Sequence, residues 1–291
     1  MLAIPVCAGE RAAVRVASAG PLSRTRPAPR RSRWSAARYP YAIRAGVGAL
    51  IRLDRYQAEF APVADQLAWA DHRQSPEASR PIARAICAAD PASSAVAALA
   101  AQLAASHTAL MPMSALEATA DALEVPNPWL APSASLIAAR DLDNPVDRAT
   151  GQSAFLAGQP AERRERLRSC AQHKADMNRR LHELGARFLA ASATPAFGVM
   201  PGSGLHLELA LLHRAGLSPR EALAAATSNY ADVYGWRDVG RIERGRRADV
   251  VILDADPRLD VSALDHIHTV VFRGAVLDRA RLPPRPAPAG R

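Results

Sequence analysis

Apolar and polar positions along this chain follow two periods, and the changes between them place most of the elements. "YAIRAGVGALIRL" reads as a helix end, a turn at Gly46 and a short apolar strand around Val47–Leu53. Residues 77–105 are alanine-rich and broadly helical, with a break at Asp90-Pro91. "HTALMPM" (His107–Met113) is a short apolar run ending near Pro112, which predicts a buried strand. Residues 126–160 mix prolines, polar residues and "DLDNP", the pattern of a long loop with short helices. A charged helix over 161–187 ends near Gly185, and "ARFLAASAT" (Ala186–Thr194) is the next strand candidate.

Leu205, Leu209 and Leu212 then share one helix face, and that helix stops at Gly216. Ser218-Pro219-Arg220-Glu221 spells a capping box: Ser218 caps, Pro219 takes the first helical position and Glu221 reaches back. The helix it starts runs through Thr227. Beyond Gly240 the period becomes two. "ADVVILD" (Ala248–Asp254) and "HTVVFRGAVLD" (His268–Asp278) are strands, the second a hairpin turning at Arg273-Gly274. Strands alternating with helices and followed by hairpins make an α/β fold, part of a parallel βα barrel plus part of a small β-sandwich.

Charge changes the picture less than the total of +9 suggests. Residues 1–45 hold nine arginines and one acid, Glu10; the remaining 28 basic and 27 acidic residues nearly cancel. No module that concentrates charge on a folded face is present, so nucleic-acid binding is not expected. Residues 1–40 are Arg-, Pro- and Ser-rich and read as a disordered tail rather than a targeting segment, because prolines interrupt any amphipathic helix. Three widely spaced cysteines (Cys7, Cys87 and Cys170) form no CxxC pair, which points to a reduced, cytoplasmic protein. The longest apolar run, near residues 95–105, contains Gln102 and falls short of the ~18–20 residues a membrane span needs.

The segments "GSGLHLELALLHRAGLSPREALAAATSN" and "GRIERGRRADVVILDADPRLDV" together resemble the C-terminal signature of the amidohydrolase superfamily, in its imidazolonepropionase-like and prolidase-like branch. "RAGVGALIRLDRY" resembles that family's sixth-strand segment and "HTALMPMSALEA" its seventh, so the likeness covers about residues 41–282. It implies the C-terminal part of a TIM-type (β/α) barrel at 41–239 and C-terminal strands of a composite β-sandwich domain at 240–282. Disordered tails at 1–40 and 283–291 flank them. It also implies one or two zinc-type divalent metals at the barrel mouth. Such an ion lowers the pKa of a bound water, and the resulting hydroxide attacks a non-peptide carbon–nitrogen bond.

Two positions depart from the pattern that the resemblance supplies. Arg52, in Ala49–Leu53, stands where the sixth-strand motif carries a histidine ligand, and a guanidinium has no lone pair to give. Ala193, in Ala190–Pro195, stands where the eighth-strand motif carries the aspartate that binds metal and shuttles the proton. Residues 1–40 do not resemble the first strands, where a His-x-His would lie. The metal site is therefore expected to be degraded, with no divalent ion bound by this chain alone.

Other residues offer weaker chemistry. His266-Ile267-His268 puts two rings on one strand face, but in the sandwich segment, where solvated strand histidines are the simpler reading. His206, at the start of the helix after the eighth strand, is the candidate pocket residue; a helix-terminal polar residue is the alternative. His107 marks a strand boundary, and His72, His173, His182 and His213 show no metal spacing. Gly202-Ser203-Gly204 is a turn before a helix rather than a nucleophile elbow.

Three functions follow from the resemblance: a hydrolase of carbon–nitrogen bonds in an amide-like small molecule, a catalytically inactive remnant acting through protein contacts, or one half of a split enzyme. Three barrel strands cannot close a barrel of eight, so a complementing chain or self-association is expected to cover the open edges; without it the chain should be marginally stable.

Overall fold

The computed structural model describes residues 39–71, 75–120, 125–130, 134, 146–152, 154–194 and 196–278. The helices are α1 (Tyr39–Arg44), α2 (Leu53–Gln57), α3 (Val63–Asp71), α4 (Pro76–Ala88), α5 (Ser94–Ser106), α6 (Ser114–Ala120), α7 (Ala154–Ala157), α8 (Ala161–Glu183), α9 (Ser203–Arg214), α10 (Pro219–Ala225) and α11 (Ser228–Tyr234). The strands are β1 (Ala49–Ile51), β2 (Ala109–Met111), β3 (Val250–Leu253), β4 (Ile267–Phe272) and β5 (Ala275–Val276). Contacts divide the described residues into two units, one from 39–112 and 172–189, the other from 113–171 and 190–278.

The first unit is built on parallel strands. β1 pairs with β2 in the register Ala49↔Ala109, Leu50↔Leu110 and Ile51↔Met111, and Leu110 also bridges Phe188 in parallel. Leu110 is therefore hydrogen-bonded on its far side too: its N–H donates to Arg187 O (2.8 Å) and its carbonyl accepts from Leu189 N (2.8 Å). The three segments lie in chain order with helices between them, as βαβ crossovers require. Leu50, Leu110 and Leu189 are fully buried, with Leu103 of α5 and Met177 and Leu181 of α8. α5 buries Val96, Leu99, Ala100 and Leu103, spaced three, four and seven apart on one face.

The alanine-rich stretch breaks where the sequence says. α4 opens on Ser75, whose side chain accepts from Ala78 N, with Pro76 in the first turn. Asp90 then accepts from Ala92 N at 2.8 Å, and α5 begins three residues after Pro91. α5 ends on His107 in the left-handed conformation (φ 56°), so this histidine is a helix C-cap at the entrance to β2.

One strand is shorter than the sequence predicts. Ala186–Thr194 holds the sheet only around Phe188. In the second unit, Ala190 N donates to Ala225 O (2.9 Å) and Ala190 O accepts from the Tyr230 hydroxyl (2.8 Å). Both backbone groups of Ala190 are thus taken by the α10–α11 region, and the ladder stops before it.

The second unit carries the C-terminal elements. The capping box forms in full: Ser218 Oγ accepts from Glu221 N, and Glu221 Oε2 accepts from Ser218 N at 2.8 Å. The β3–β4–β5 sheet is antiparallel, with Val250↔Val271 and Phe272↔Ala275 in register. Its hairpin turns on Arg273 (φ 50°) and Gly274 (φ 85°), the two left-handed positions that match strand twist. Asp249, almost fully buried, accepts from Arg273 N at 2.8 Å and pairs with Arg247 at 2.6 Å. The expected sandwich is represented, among the described residues, by this one three-stranded sheet. Residues 283–291 and most of 1–40 lie outside the described residues, as do His72 and Cys7. Cys87 in α4 is disulfide-bonded and so is Cys170 in α8, a departure from the reduced thiols expected from their spacing. No described helix is long and apolar enough to cross a membrane.

Candidate functional site

In a βα fold the chemistry sits where parallel strands end, so the residues that follow β1, β2 and the Phe188 segment in the chain are each candidates for it. Arg52 follows β1. Its N–H still donates to Met111 O at 2.9 Å, extending the ladder by one bond, and it then caps α2 with φ 66° and ψ 117°. That conformation lies outside the left-handed helical well and is tolerated by glycine rather than arginine. The side chain is about one third exposed and reaches Asp54, with Nε 3.2 Å from Oδ1. The guanidinium is thus a donor held at the strand end by a carboxylate, at the position where the resemblance expects a lone pair.

Strain of this kind costs about 1–3 kcal/mol. Glycine relieves it but adds chain entropy and forfeits an ion pair of about 0–1 kcal/mol. Arg52→Gly is therefore expected to raise unfolding stability by roughly 1 kcal/mol, read from the urea midpoint at constant m. A drop of that size would mean that the Asp54 pair outweighs the strain.

Met113, just past β2, and Ala193, past the Phe188 segment, also carry positive φ, each 57°. Five described non-glycine residues do so, and these two together with Arg52 follow the parallel segments. Ala193 is partly buried and packs on the apolar cluster of Ala115, Leu116, Ala118, Val199 and Leu211. Its carbonyl accepts from Ala196 N (3.1 Å), and Thr194 Oγ1 donates to Val199 O (2.5 Å). The position where the resemblance places an ionised aspartate carries an alanine packed against an apolar cluster of α6 and α9.

The described histidines sit in different local settings. His206, in α9, donates through Nδ1 to Asp265 Oδ1 at 2.7 Å, across to the 3-10 turn Val261–Asp265, so its ring is engaged at the surface. His266 caps that turn and lies outside β4; His268, within β4 and exposed, pairs with Asp254 at 3.0 Å. The two therefore do not share a strand face, because β4 begins only at Ile267. His213 Nδ1 donates to Leu217 O (2.7 Å) and closes the end of α9. His182 meets Phe188 edge-on, and His173 Nε2 is buried with no hydrogen-bond partner among the described residues. Ser203 opens α9 behind Gly202, and Gly204 is demanded by packing: a Cβ there would lie 2.5 Å from Val199 Cγ1.

Among the described residues, no three His, Cys, Asp or Glu side chains are grouped to hold a metal ion. A catalytic zinc takes three protein ligands and leaves one position for water. The described side chains at Arg52 and Ala193 do not fit that ion.

Sequence reasoning passed over Glu208. It lies three residues after Leu205 and four before Leu212, on the buried face of α9, and a carboxylate within an apolar helical stripe was the available signal. The residue is completely buried. Oε2 accepts from Ala115 N at 2.7 Å, and Oε1 has no hydrogen-bond partner among the described residues. Burial pushes its carboxyl up to about 8, against backbone amides of Ala115, Ser114 and Met113 that pull the other way.

The chain is similar to known proteins over much of its length. It is 37% identical over 154 residues to an imidazolonepropionase of Rubrobacter xylanophilus, a match covering 50% of this chain and 37% of that protein. It is 35% identical over 109 residues to an imidazolonepropionase of Geobacillus kaustophilus, covering 36% of this chain and 26% of that one. The matches thus span 37% and 26% of these relatives' length. Among solved structures, bottromycin amidohydrolase shares the fold with a TM-score of 0.58 at 21% identity, over 83% of this chain and 48% of that one. Residues 95–277 match the model of the amidohydrolase family. That match takes in β2, the Phe188 segment and the C-terminal hairpin sheet, more than half of the chain, and the chain therefore belongs to the amidohydrolase family.

Proposed function

We propose that this chain belongs functionally with hydrolases of non-peptide carbon–nitrogen bonds and that, by itself, it lacks their metal-dependent catalysis. The observation that carries this reading is Arg52. It occupies the end of β1 with a strained backbone, a guanidinium donor and a carboxylate partner at Asp54, where the family resemblance calls for an imidazole. A guanidinium carries a positive charge and has no lone pair to give, so it repels a divalent cation instead of binding it. Ala193 adds to this: an alanine on an apolar cluster supplies neither a ligand nor a proton acceptor. The reaction class then requires ligands from another chain, and an amide-like small molecule is the substrate class of that completed assembly. Two of the similar proteins are imidazolonepropionases, and this supports including an imidazolonepropionase substrate in the test.

Elemental analysis tests the reading directly. The purified chain is incubated with zinc or manganese, dialysed exhaustively and measured for metal per chain, then assayed with a panel of cyclic and acyclic amides. Metal well below one per chain and hydrolysis equal to a metal-free control are expected. A near-stoichiometric ion with turnover would overturn the proposal.

A further inference from the structure

We propose that Glu208 is an alkaline-sensitive latch: with its proton in place the carboxyl fastens the start of α6 to α9, and loss of that proton frees the segment Met113–Ala118. The geometry comes first. Glu208 is the middle of α9, fully buried, and its Oε2 accepts from the second residue of α6, Ala115. Met113, which precedes α6, is held with φ 57°, and its carbonyl accepts from Leu116 N at 3.1 Å. Behind this contact lies the cluster Ala115, Leu116, Ala118, Val199 and Leu211. One polar group thus fixes an otherwise apolar junction, and its second oxygen, Oε1, is buried with no partner among the described residues.

A neutral carboxyl bears that isolation at modest cost, whereas an ionised one leaves a charge in the core that backbone amides offset only in part. The elements packed on α9 are α6, the 3-10 turn Val261–Asp265 and α10. Their charged groups are Glu117, Asp265, Arg220 and Glu221, and α9 itself adds His206, His213 and Arg214. Asp265 is taken by His206 and Glu221 by the capping box. The carboxyl's shift is caused by burial, offset by the three amides, with no charged side chain among the causes.

The sign follows from linkage. The folded group holds its proton up to about pH 8 and the opened group only to about 4.5. Latch stability is therefore complete below the lower value, declines as pH rises between the two and levels off above the upper one. Opening of the latch gains up to about tenfold per pH unit within that window.

Amide hydrogen exchange on the full chain reads this out. Protection of the Met113–Ala118 segment, corrected for intrinsic exchange, is expected to fall by up to about tenfold per unit from about pH 5 to 8 and then flatten. The β3–β4 strands serve as an internal reference and should stay level. Glu208→Gln keeps an acceptor for Ala115 N and cannot ionise, so its protection should be independent of pH. Parallel profiles in the wild type and Glu208→Gln, or an equal fall in the reference strands, would overturn the latch. If the glutamine variant does not fold, a carboxyl carbon titration of isotopically labelled wild type decides: a buried glutamate titrating near 8 upholds it, and none above the ordinary range overturns it.

Discussion

Leu110→Ala is expected to lower the free energy of unfolding by about 2–5 kcal/mol, the range for deleting a buried leucine whose cavity cannot close. The side chain is fully buried and belongs to the middle residue of the middle parallel segment. Its backbone is tied on both sides, to Arg187 and Leu189 at 2.8 Å each and in register with Leu50. A strand pinned in this way cannot shift to fill the void. The measurement is urea unfolding followed by far-ultraviolet circular dichroism, at constant m. A loss under about 1 kcal/mol would show that the site relaxes and that the pairing around Phe188 is not formed.

Gly240→Ala is the second large effect, about 2–4 kcal/mol, and it acts through the backbone. Gly240 opens the "G-x-I-x-x-G-x-x-A-D" segment with φ +87°, a region that costs an L-residue about 1–2 kcal/mol. An added Cβ would also lie 2.9 Å from Ala231 Cβ and 3.0 Å from Thr227 O. The oxygen belongs to the N-cap of α11 and cannot give way without moving that helix. Gly274→Ala serves as the control: it also has positive φ, but nothing lies within 4 Å of its Cβ position, so only the conformational part should appear. If both variants lose the same stability, contact with Thr227 contributes nothing.

The contrast between these glycines shows what the chain discloses as a sequence. Local rules were readable. Ser218-Pro219-Arg220-Glu221 forms its capping box, Asp90-Pro91 separates α4 from α5, and Arg273-Gly274 turns the hairpin, because each is settled within a few residues. The parallel order of β1, β2 and the Phe188 segment followed from the alternation of strands and helices. Features decided by distant partners were not readable. Ala186–Thr194 has strand composition, yet Ala225 and Tyr230 take the backbone of Ala190. His266 and His268 have strand spacing, yet His266 belongs to the preceding turn. Asp249 and Glu208 are both buried carboxylates; the first meets an arginine and a turn amide, the second a helix start, and neither environment is written in its neighbours. At the candidate site the substitutions at Arg52 and Ala193 were visible in the sequence, but the positive φ at both needed coordinates.

The parallel register has a consequence for how the chain is made. Ala49 waits for Ala109, and Leu110 waits for Phe188, so each pairing closes a loop of roughly sixty to eighty residues before any contact repays the lost entropy. The antiparallel hairpin of β4 and β5 turns on two residues and needs no such wait. As the chain leaves the ribosome at about 5–20 residues per second, β2 stays an unpaired edge on one side for several seconds, until Arg187–Leu189 emerge. The interval is a window for strand addition by another chain, and for aggregation if none arrives. Holding α8 back, by a translational pause after residue 160, should therefore lower the soluble yield, whereas a pause placed late enough for Arg187–Leu189 to have cleared the exit tunnel should not.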